Sequence, residues 1–532
     1  MANILGLHFG HDSSVCLIKN GRLISAISIE RLNKIKKYSG MTHEAIDYVL
    51  SEGNISIKDV DAIGVVDYSS GTSGGIIDLH INNKKVSTCS SMAFGNNIIQ
   101  GEFQYNGHKI PTYIISHQLS HCASTFFTSN FDKAYCFSLD SSGGPRAANS
   151  LVAFGDGNKI EALYCPNVMI GNAYGMFTEK LGIGNAVFKA GSTMGLAAYG
   201  EIHKEVKQNL EQYINLAFLN KDFVHDQVYE QLWQYVSKST KNFEKEESDS
   251  IRAMNIAASI QYIFENSILR AINSISNEKN INNLCLSGGS MLNCNVNSLI
   301  LSNTRYKNLH LFPACGDDGI AIGAGLYVAH NIFNEKRSIY SAKDICYLGK
   351  KYSEKENEID YDDIAKEIAN GKIIGWYQGK SEYGPRALGN RSILADPRNF
   401  HNRELINFVV KKREWYRPFA PSVLENECHN WFDFNAKSPY MLFTANVKNG
   451  KEIPAVTHVD NSARMQTVSE DLNKNYFNLI NAFYKQTQVP MILNTSLNCN
   501  GEPILETEQD AERFFLRTPV DLMIINGKIL KR

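Results

Sequence analysis

Residues 3–29 read NILGLHFGHDSSVCLIKNGRLISAISI, and their reading decides the fold. An apolar run from Asn3 to Phe9, the polar loop His11-Asp12-Ser13-Ser14, a run from Val15 to Ile18, the dipeptide Asn20-Gly21 and a run from Leu23 to Ile29 predict strand, loop, strand, tight turn, strand. Asn-Gly accepts positive φ at both central turn positions, which makes it the strongest short-range hairpin signal. The pattern returns as Ala134 to Leu139, the loop Asp140-Ser141-Ser142-Gly143-Gly144, Ser150 to Phe154, Asp156-Gly157 and Ile160 to Tyr164. Two unrelated hairpins would give the same local pattern. The helix-like stretches that follow each copy favour a duplicated α/β domain whose polar strand-end loops face one cleft.

Further along, a helix-like run Asn255 to Ile275 leads into a strand, Asn283 to Leu286, then the turn Ser287-Gly288-Gly289-Ser290, and Gly319 to His330 begins another helix. A strand, Gly-Gly turn and helix offer backbone N–H groups to a phosphate or another anion. The less regular stretch from Asn331 to Tyr361 is the expected passage between a first domain, 1–345, and a second, 355–532. With 532 residues, more than one core is expected.

Composition narrows the class. The chain is 43% hydrophobic and 20% charged with a net charge of −1, so any polyanion site must be local. No basic leader and no apolar run of membrane-spanning length is apparent, which predicts a cytoplasmic protein without a membrane partner. The 11 cysteines contain no Cys-x-x-Cys pair, against both a disulfide framework and a cysteine zinc site. Cys136, Cys165 and Cys285 fall on strand-like runs and are expected to be buried thiols.

Ser116 to Ala123 places His117 and His121 at i and i+4, one face of a helix and a metal-ligand spacing that core or surface histidines also show. Asp140, at the end of a predicted strand, and Asp317, in the turn Pro313 to Gly319, would complete a mixed N/O site for iron, manganese or zinc. Spacing does not choose the metal, and Asp318 competes with Asp317. Near the N-terminus His8, His11 and Asp12 would reach the same cleft, where His11 or Asp12 could act as general base or serve structurally.

From Lys380 to Arg417 nine Lys or Arg residues, including Arg386, Arg391, Lys411, Arg413 and Arg417, stand against four acids. They are interleaved with Gly, Pro and aromatics, notably in Tyr383 to Ser392 and at Arg417-Pro418 with Pro421. That reads as an anion site of planar guanidinium forks rather than a solvated charged face. No nucleic-acid motif accompanies them, so nucleic acid is not the expected partner. Leu493 to Asn498, with Asn494 and Ser496, suits a nucleotide's phosphate or ribose, and His458, Asp460, Arg464 and Gln466 form a polar segment of open role.

Taken in order, His11-Asp12-Ser13, Ser116 to Ala123, Met194 to Gly200, Leu286 to Gly289, Gly316-Asp317, Tyr383 to Arg398, Arg413 to Pro421 and Asn494 to Asn498 resemble the O-carbamoyltransferases that tailor antibiotics and nodulation factors. The resemblance runs along nearly the whole chain, and the block Gly384 to Asp396 is highly specific. It implies a duplicated N-terminal domain of the actin and sugar-kinase type and an α+β C-terminal domain like the threonylcarbamoyladenylate synthases. It implies that the C-terminal domain forms carbamoyladenylate and pyrophosphate from carbamoyl phosphate and ATP, with Mg, and that the N-terminal domain passes carbamoyl to an acceptor hydroxyl on a small molecule or sugar. Carried over by motif, His117, His121, Asp140 and Asp317 would bind Fe(II), Arg386, Arg391, Arg413, Asn494 and Ser496 would hold ATP and carbamoyl phosphate, and His11 fits the transfer-site base.

Lys189 to Met194, Cys315 and Asp318 depart from the family pattern, and the cysteine zinc modules of the related hydrogenase-maturation enzyme are missing. Rival readings are a threonylcarbamoyl transferase acting on tRNA, an actin-like ATPase or sugar kinase, and a silent binding protein. The acceptor would be chosen by loops such as Thr178 to Lys189 and Phe218 to Ser250. Self-association into a homo-oligomer is left open.

Overall fold

The computed structural model describes residues 2–532 except 90–94, 142–148, 167, 169, 220–229, 232–233, 235–236, 239–249, 277–278 and 354–356. Ser142-Gly143-Gly144 and most of the 218–250 segment thus lie outside the described residues. The chain divides into two compact units, Met1–Ile29 with Lys37–Ile339, and Glu30–Lys36 with Tyr340–Arg532. The described residues form three sheets in a mixed α/β architecture, and no helix among them is long and apolar enough to cross a membrane.

The first unit holds two sheets. Strands β1 (Asn3–His8), β2 (Ser14–Lys19), β3 (Arg22–Ser28), β4 (Ala62–Val66), β5 (Ile77–Ile81), β6 (Lys84–Lys85), β7 (Ile99–Tyr105) and β8 (His108–Ile114) lie in the order β3-β2-β1-β4-β8-β7-β5-β6. Strands β9 (Lys133–Leu139), β10 (Ser150–Asp156), β11 (Lys159–Tyr164), β12 (Asn283–Ser287) and β13 (Asn308–Leu311) lie in the order β11-β10-β9-β12-β13. In each, a meander of three antiparallel strands is followed by two parallel ones: β1 pairs parallel with β4 and β4 with β8, as β9 does with β12 and β12 with β13. The two sheets are topological copies. The β5–β7 extension belongs to the first alone and has no counterpart in the sequence reading.

Local chemistry explains the strands. Asn20 and Gly21, at φ 53° and 70°, make the hairpin turn between β2 and β3. Along β1, β4 and β9 almost every residue is buried, as expected of strands covered on both faces. At the edge, β11 alternates toward exposure. Cys136 and Cys285 are buried as expected, whereas Cys165, just past the edge strand, is only half-buried, and all 11 thiols are free.

Two helices carry the interior of this unit. His117–Thr128 packs on β9, β10 and β12, while Ile320–Tyr327 packs on β1, β2 and β4, and the two cross. At the crossing Gly323 approaches so closely that a Cβ there would stand 1.8 Å from the Ser120 carbonyl oxygen. Only a residue without a side chain fits.

In the second unit β14 (Ile374–Tyr377), β15 (Arg391–Ala395), β16 (Ala420–Leu424), β17 (Phe443–Asn446), β18 (Ser462–Val468), β19 (Met491–Ser496), β20 (Leu522–Ile525) and β21 (Lys528–Lys531) form one sheet. Its order is β17-β18-β16-β19-β15-β14-β20-β21. Pro421, expected in a rigid turn, sits inside β16 opposite Leu493. The cationic stretch also contains a helical segment, Phe400–Leu405, continued as a wider turn over Ile406–Lys411.

Candidate active site

In the first unit the titratable side chains gather where parallel strands end, the usual ligand-binding edge of an α/β sheet. His8 closes β1, His11 and Asp12 lie in the loop after it, Asp67 follows β4, and Asp140 follows β9. His117 and His121 occupy the first turns of a helix capped by Ser116, whose side chain accepts from the Leu119 amide. Asp317 opens the tight turn that leads into Ile320–Tyr327.

The four residues singled out as a ligand set converge: one donor atom from each of His117, His121, Asp140 and Asp317 lies within 4.8 Å of the others. His121 Nε2 is 3.3 Å from an oxygen of both Asp140 and Asp317, and His117 Nε2 is 3.6 Å from Asp317. His121 is fully buried, yet neither ring nitrogen has a hydrogen-bond partner. Bare buried imidazole nitrogens are costly, and a two-imidazole, two-carboxylate donor set suits a divalent first-row transition metal. These residues could hold one.

Electrostatics binds the cluster together. Burial opposes the charge on Asp317, but His117 and His11 hold its carboxyl well below the usual range. Burial likewise opposes protonation of His117, and Asp67 and Asp317 outweigh it, raising the pKa well above 6.5. His11 is raised to about 9, chiefly by Asp317 at 3.3 Å, against burial and with help from its 3.1 Å contact to Asp12. In this arrangement the Asp317 carboxylate favours the protonated form of His11. Asp12, despite burial, is kept ionised by Lys37 at 2.5 Å and by His11.

Sequence reasoning missed Asp67. Its carboxylate lies 2.6 Å from His117 Nδ1 and 3.8 Å from His8 Nδ1. The strand-end rule that drew attention to Asp140 points equally to Asp67, one residue beyond β4. Reasoning also misjudged the Gly-Gly turn. The Gly289 amide donates to Asp140 Oδ2 at 3.1 Å, so an anion this turn holds is the protein's own carboxylate.

The second unit brings together a cationic cluster. Lys411 is buried and donates to Ser496 Oγ at 3.1 Å, to Asn498 at 2.7 and 2.8 Å, and to the Ser496 carbonyl. Burial, then Arg413 and Lys36, push its pKa well below the ordinary lysine value. Arg413 is depressed well below the guanidinium range by burial and by Arg417 and Arg464, while Arg417 is lowered by burial against the help of Glu414. Arg464 Nε is buried without a partner, so the polar segment of open role contributes here.

The other expected ligands differ. Arg391 is fully buried, donates to the carbonyls of Gln378, Asn390, Gly379 and Glu506, and stacks 3.5 Å over the Tyr377 ring. In this arrangement Nη1 and Nη2 are engaged by main-chain carbonyls and Nε has no partner. Asn494 donates to Ala387, Ser422 and Gln466, leaving Oδ1 without a partner. Arg386 is half-buried on a loop fixed by Glu382, whose Oε1 accepts from the amides of Leu388, Asn390 and Arg391.

Fold and site together define a mixed α/β enzyme with an imidazole–carboxylate centre in one unit and, in the other, a cationic cluster around the buried Lys411. Residues 3–326 match the family described as Carbamoyltransferase N-terminus and 365–532 that described as Carbamoyltransferase C-terminus; the chain belongs to the carbamoyltransferase family and is an enzyme of that class. It is 32% identical to an uncharacterized protein of Synechocystis sp. over 606 residues, covering 100% of this chain and 97% of that one. It is 32% identical to the nodulation protein NolNO of Sinorhizobium fredii over 555 residues, 98% of this chain and 79% of that one. To the 3'-hydroxymethylcephem-O-carbamoyltransferase of Amycolatopsis lactamdurans it is 34% identical over 232 residues, 43% and 44% of the two chains.

Proposed function

We propose that the protein is an ATP-dependent O-carbamoyltransferase that forms carbamoyladenylate in its second unit and transfers carbamoyl to a hydroxyl in its first. The observation that carries this reading is the cationic set Lys411, Arg413, Arg417 and Arg464, of which Lys411 is buried and the three arginines half-buried, with Lys411, Arg413 and Arg417 each depressed by neighbouring cations. Buried cations that depress one another are costly unless a polyanion joins them. ATP with carbamoyl phosphate supplies that charge, with Ser496 and Asn494 beside it and Arg386 on the neighbouring loop. Atom balance requires water to hydrolyse carbamoyl phosphate to carbamate and phosphate; a carbamate oxygen then attacks the α-phosphorus of ATP and expels pyrophosphate. Transfer to the acceptor releases AMP.

For the first unit the proposal is a fold of the duplicated actin and sugar-kinase type, supported by the two topologically equivalent sheets, and for the second one of the threonylcarbamoyladenylate-synthase type. His117, His121, Asp140 and Asp317 would hold a divalent iron, with manganese or zinc as alternatives. Bound there, the metal would supply a Lewis acid for the carbamoyl carbonyl. Neutralising Asp317 would also return His11 toward its ordinary pKa, where with Asp12 it could take the acceptor's proton. The hydroxymethyl group in the cephem enzyme's name supports a hydroxyl on a small molecule as acceptor.

The test is release of phosphate and pyrophosphate from the full chain given ATP, Mg and carbamoyl phosphate without acceptor. Equal amounts of both, requiring both substrates, are expected. ADP formation indifferent to carbamoyl phosphate would replace this reading with an ATPase or kinase.

A further inference from the structure

Asp67 has a placement that a surface carboxylate would not need. It stands immediately after β4 with a left-handed backbone, φ 54°, a conformation unfavourable to non-glycine residues even though Asp tolerates it better than most. Such outliers persist where surrounding structure demands them, often at functional sites. The side chain is largely buried and its Oδ2 lies 2.6 Å from His117 Nδ1. An ionised carboxylate can only accept. Nδ1 of His117 therefore carries a hydrogen, and in the neutral ring the lone pair is on Nε2, the nitrogen that faces Asp317 at 3.6 Å.

The neighbouring ring does not share this task. His8 Nε2 lies 2.9 Å from the His11 carbonyl and must donate to it, which leaves the buried His8 Nδ1 bare, 3.8 Å from Asp67. His117 sits edge-on to both His8 and His121, at ring-centroid distances of 6.5 and 4.9 Å. A flip of the His117 ring about Cβ–Cγ would exchange Nδ1 with Cδ2 and Nε2 with Cε1, facing Asp67 with a carbon and forfeiting the hydrogen bond.

We propose that Asp67 is a positioning residue of the imidazole–carboxylate centre: it takes the Nδ1 hydrogen of His117, fixes the ring's tautomer and rotation, and presents the Nε2 lone pair as the ligand. The proposal rests on the metal-site reading above. Its general basis is that a ligating histidine donates its second ring N–H to an outer partner, and loss of that partner typically weakens metal binding 10–100-fold. An alternative role, in which Asp67 contributes only charge to a structural ion pair, makes a different forecast for the amide variant.

Metal-free full-length protein is titrated with Co2+, followed by visible d–d absorption and by equilibrium dialysis, for wild type, Asp67→Ala, Asp67→Ser, Asp67→Asn and His117→Ala. Wild type should bind one equivalent. Asp67→Ala and Asp67→Ser, which cannot reach the ring, should bind on the order of 10–100-fold more weakly with altered absorption bands. Asp67→Asn, whose amide oxygen still accepts from Nδ1, should bind more tightly than Asp67→Ser and keep the wild-type bands. Thermal melts identify any variant that has not folded, and the serine and asparagine variants decide if the alanine one fails. Unchanged affinity in Asp67→Ser, or asparagine as weak as serine, would overturn the positioning role. Wild type that binds no Co2+, or binding untouched in His117→Ala, would overturn the metal site itself, and that outcome is visible without any Asp67 variant.

Discussion

His121 Nε2 lies 3.3 Å from Oδ1 of Asp317 without the alignment of a hydrogen bond, and the imidazole is sealed from solvent. His121 is raised above its ordinary pKa because Asp140 and Asp317 outweigh the opposing burial. A helix crossing therefore confronts a ring from one helix with a carboxylate at the start of the other, and each side lacks an ideal partner.

If that arrangement is a metal centre, removing a ring should remove the ion. His117→Ala and His121→Ala are each expected to lower metal affinity by more than the roughly 10–100-fold typical of losing an outer partner. Metal content measured after dialysis against a weak chelator checks this, with melting curves to establish folding. Occupancy equal to wild type would refute the ligand role.

Arg464→Gln is expected to separate binding from stability. Its guanidinium lowers the pKa of Arg413 and Arg417, so the substitution relieves like-charge repulsion and should leave the melting temperature of ligand-free protein unchanged or higher. Loss of a hydrogen bond between charged groups costs about 1.5–3 kcal/mol, which corresponds to affinity for ATP falling on the order of 10–100-fold. Calorimetric titration with ATP, and the ATP-induced rise in melting temperature, read the two effects separately. A large drop in ligand-free stability with unchanged ATP affinity would contradict the assignment.

What was legible in the sequence divides along contact range. The hairpin of β2 and β3 was readable because Asn20-Gly21 sets its own backbone, and the repeated meander because strand periodicity is local. The ligand candidates His117, His121, Asp140 and Asp317 were readable as residue types at strand ends and on one helix face. Partnerships across distance were not. The Gly289 amide meets Asp140, 149 residues away, so the glycine turn looked like an empty anion site. Sequence shows the Arg391 guanidinium but not the four carbonyls that engage it. Asp67 followed a strand that no motif marked, and its importance arises only from where His117 comes to rest.

The first unit should lose stability in mild acid through His330. Its ring is fully buried against Phe127 at 4.7 Å, Nδ1 donates to the Glu335 carbonyl at 2.9 Å, and Nε2 has no partner. Burial lowers its pKa to about 4, the Glu335 hydrogen bond opposing and Arg337 adding to the shift. Well above pH 6.5 the ring is neutral whether the chain is folded or not. As pH falls from 6.5 toward 4 the unfolded chain takes up a proton that the folded one refuses, and stability declines by about 3 kcal/mol before levelling off. Unfolding free energies across that range should slope less steeply with pH in His330→Gln, and equal slopes would assign the acid sensitivity elsewhere.

Gly323→Ala sets two effects of opposite sign against each other. In an ordinary helix interior the change is worth up to about 1 kcal/mol of stabilisation. Here the new Cβ would meet the Ser120 carbonyl oxygen at 1.8 Å, with Ser124 N at 3.0 Å. Those are backbone atoms of the facing helix and cannot rotate aside. Overpacking of this kind costs about 1–3 kcal/mol and more where backbone must move, so the clash wins and the melting temperature should fall. The helix that must retreat carries His117 and His121, and the one that pushes it follows Asp317. Separation of the two should weaken metal binding in a variant whose substituted residue is none of the four candidate ligands. Metal titration of Gly323→Ala alongside its melting curve tests the link: reduced affinity in protein that is still folded ties the centre's geometry to the crossing, whereas destabilisation with wild-type affinity would show that the helices can part without disturbing it.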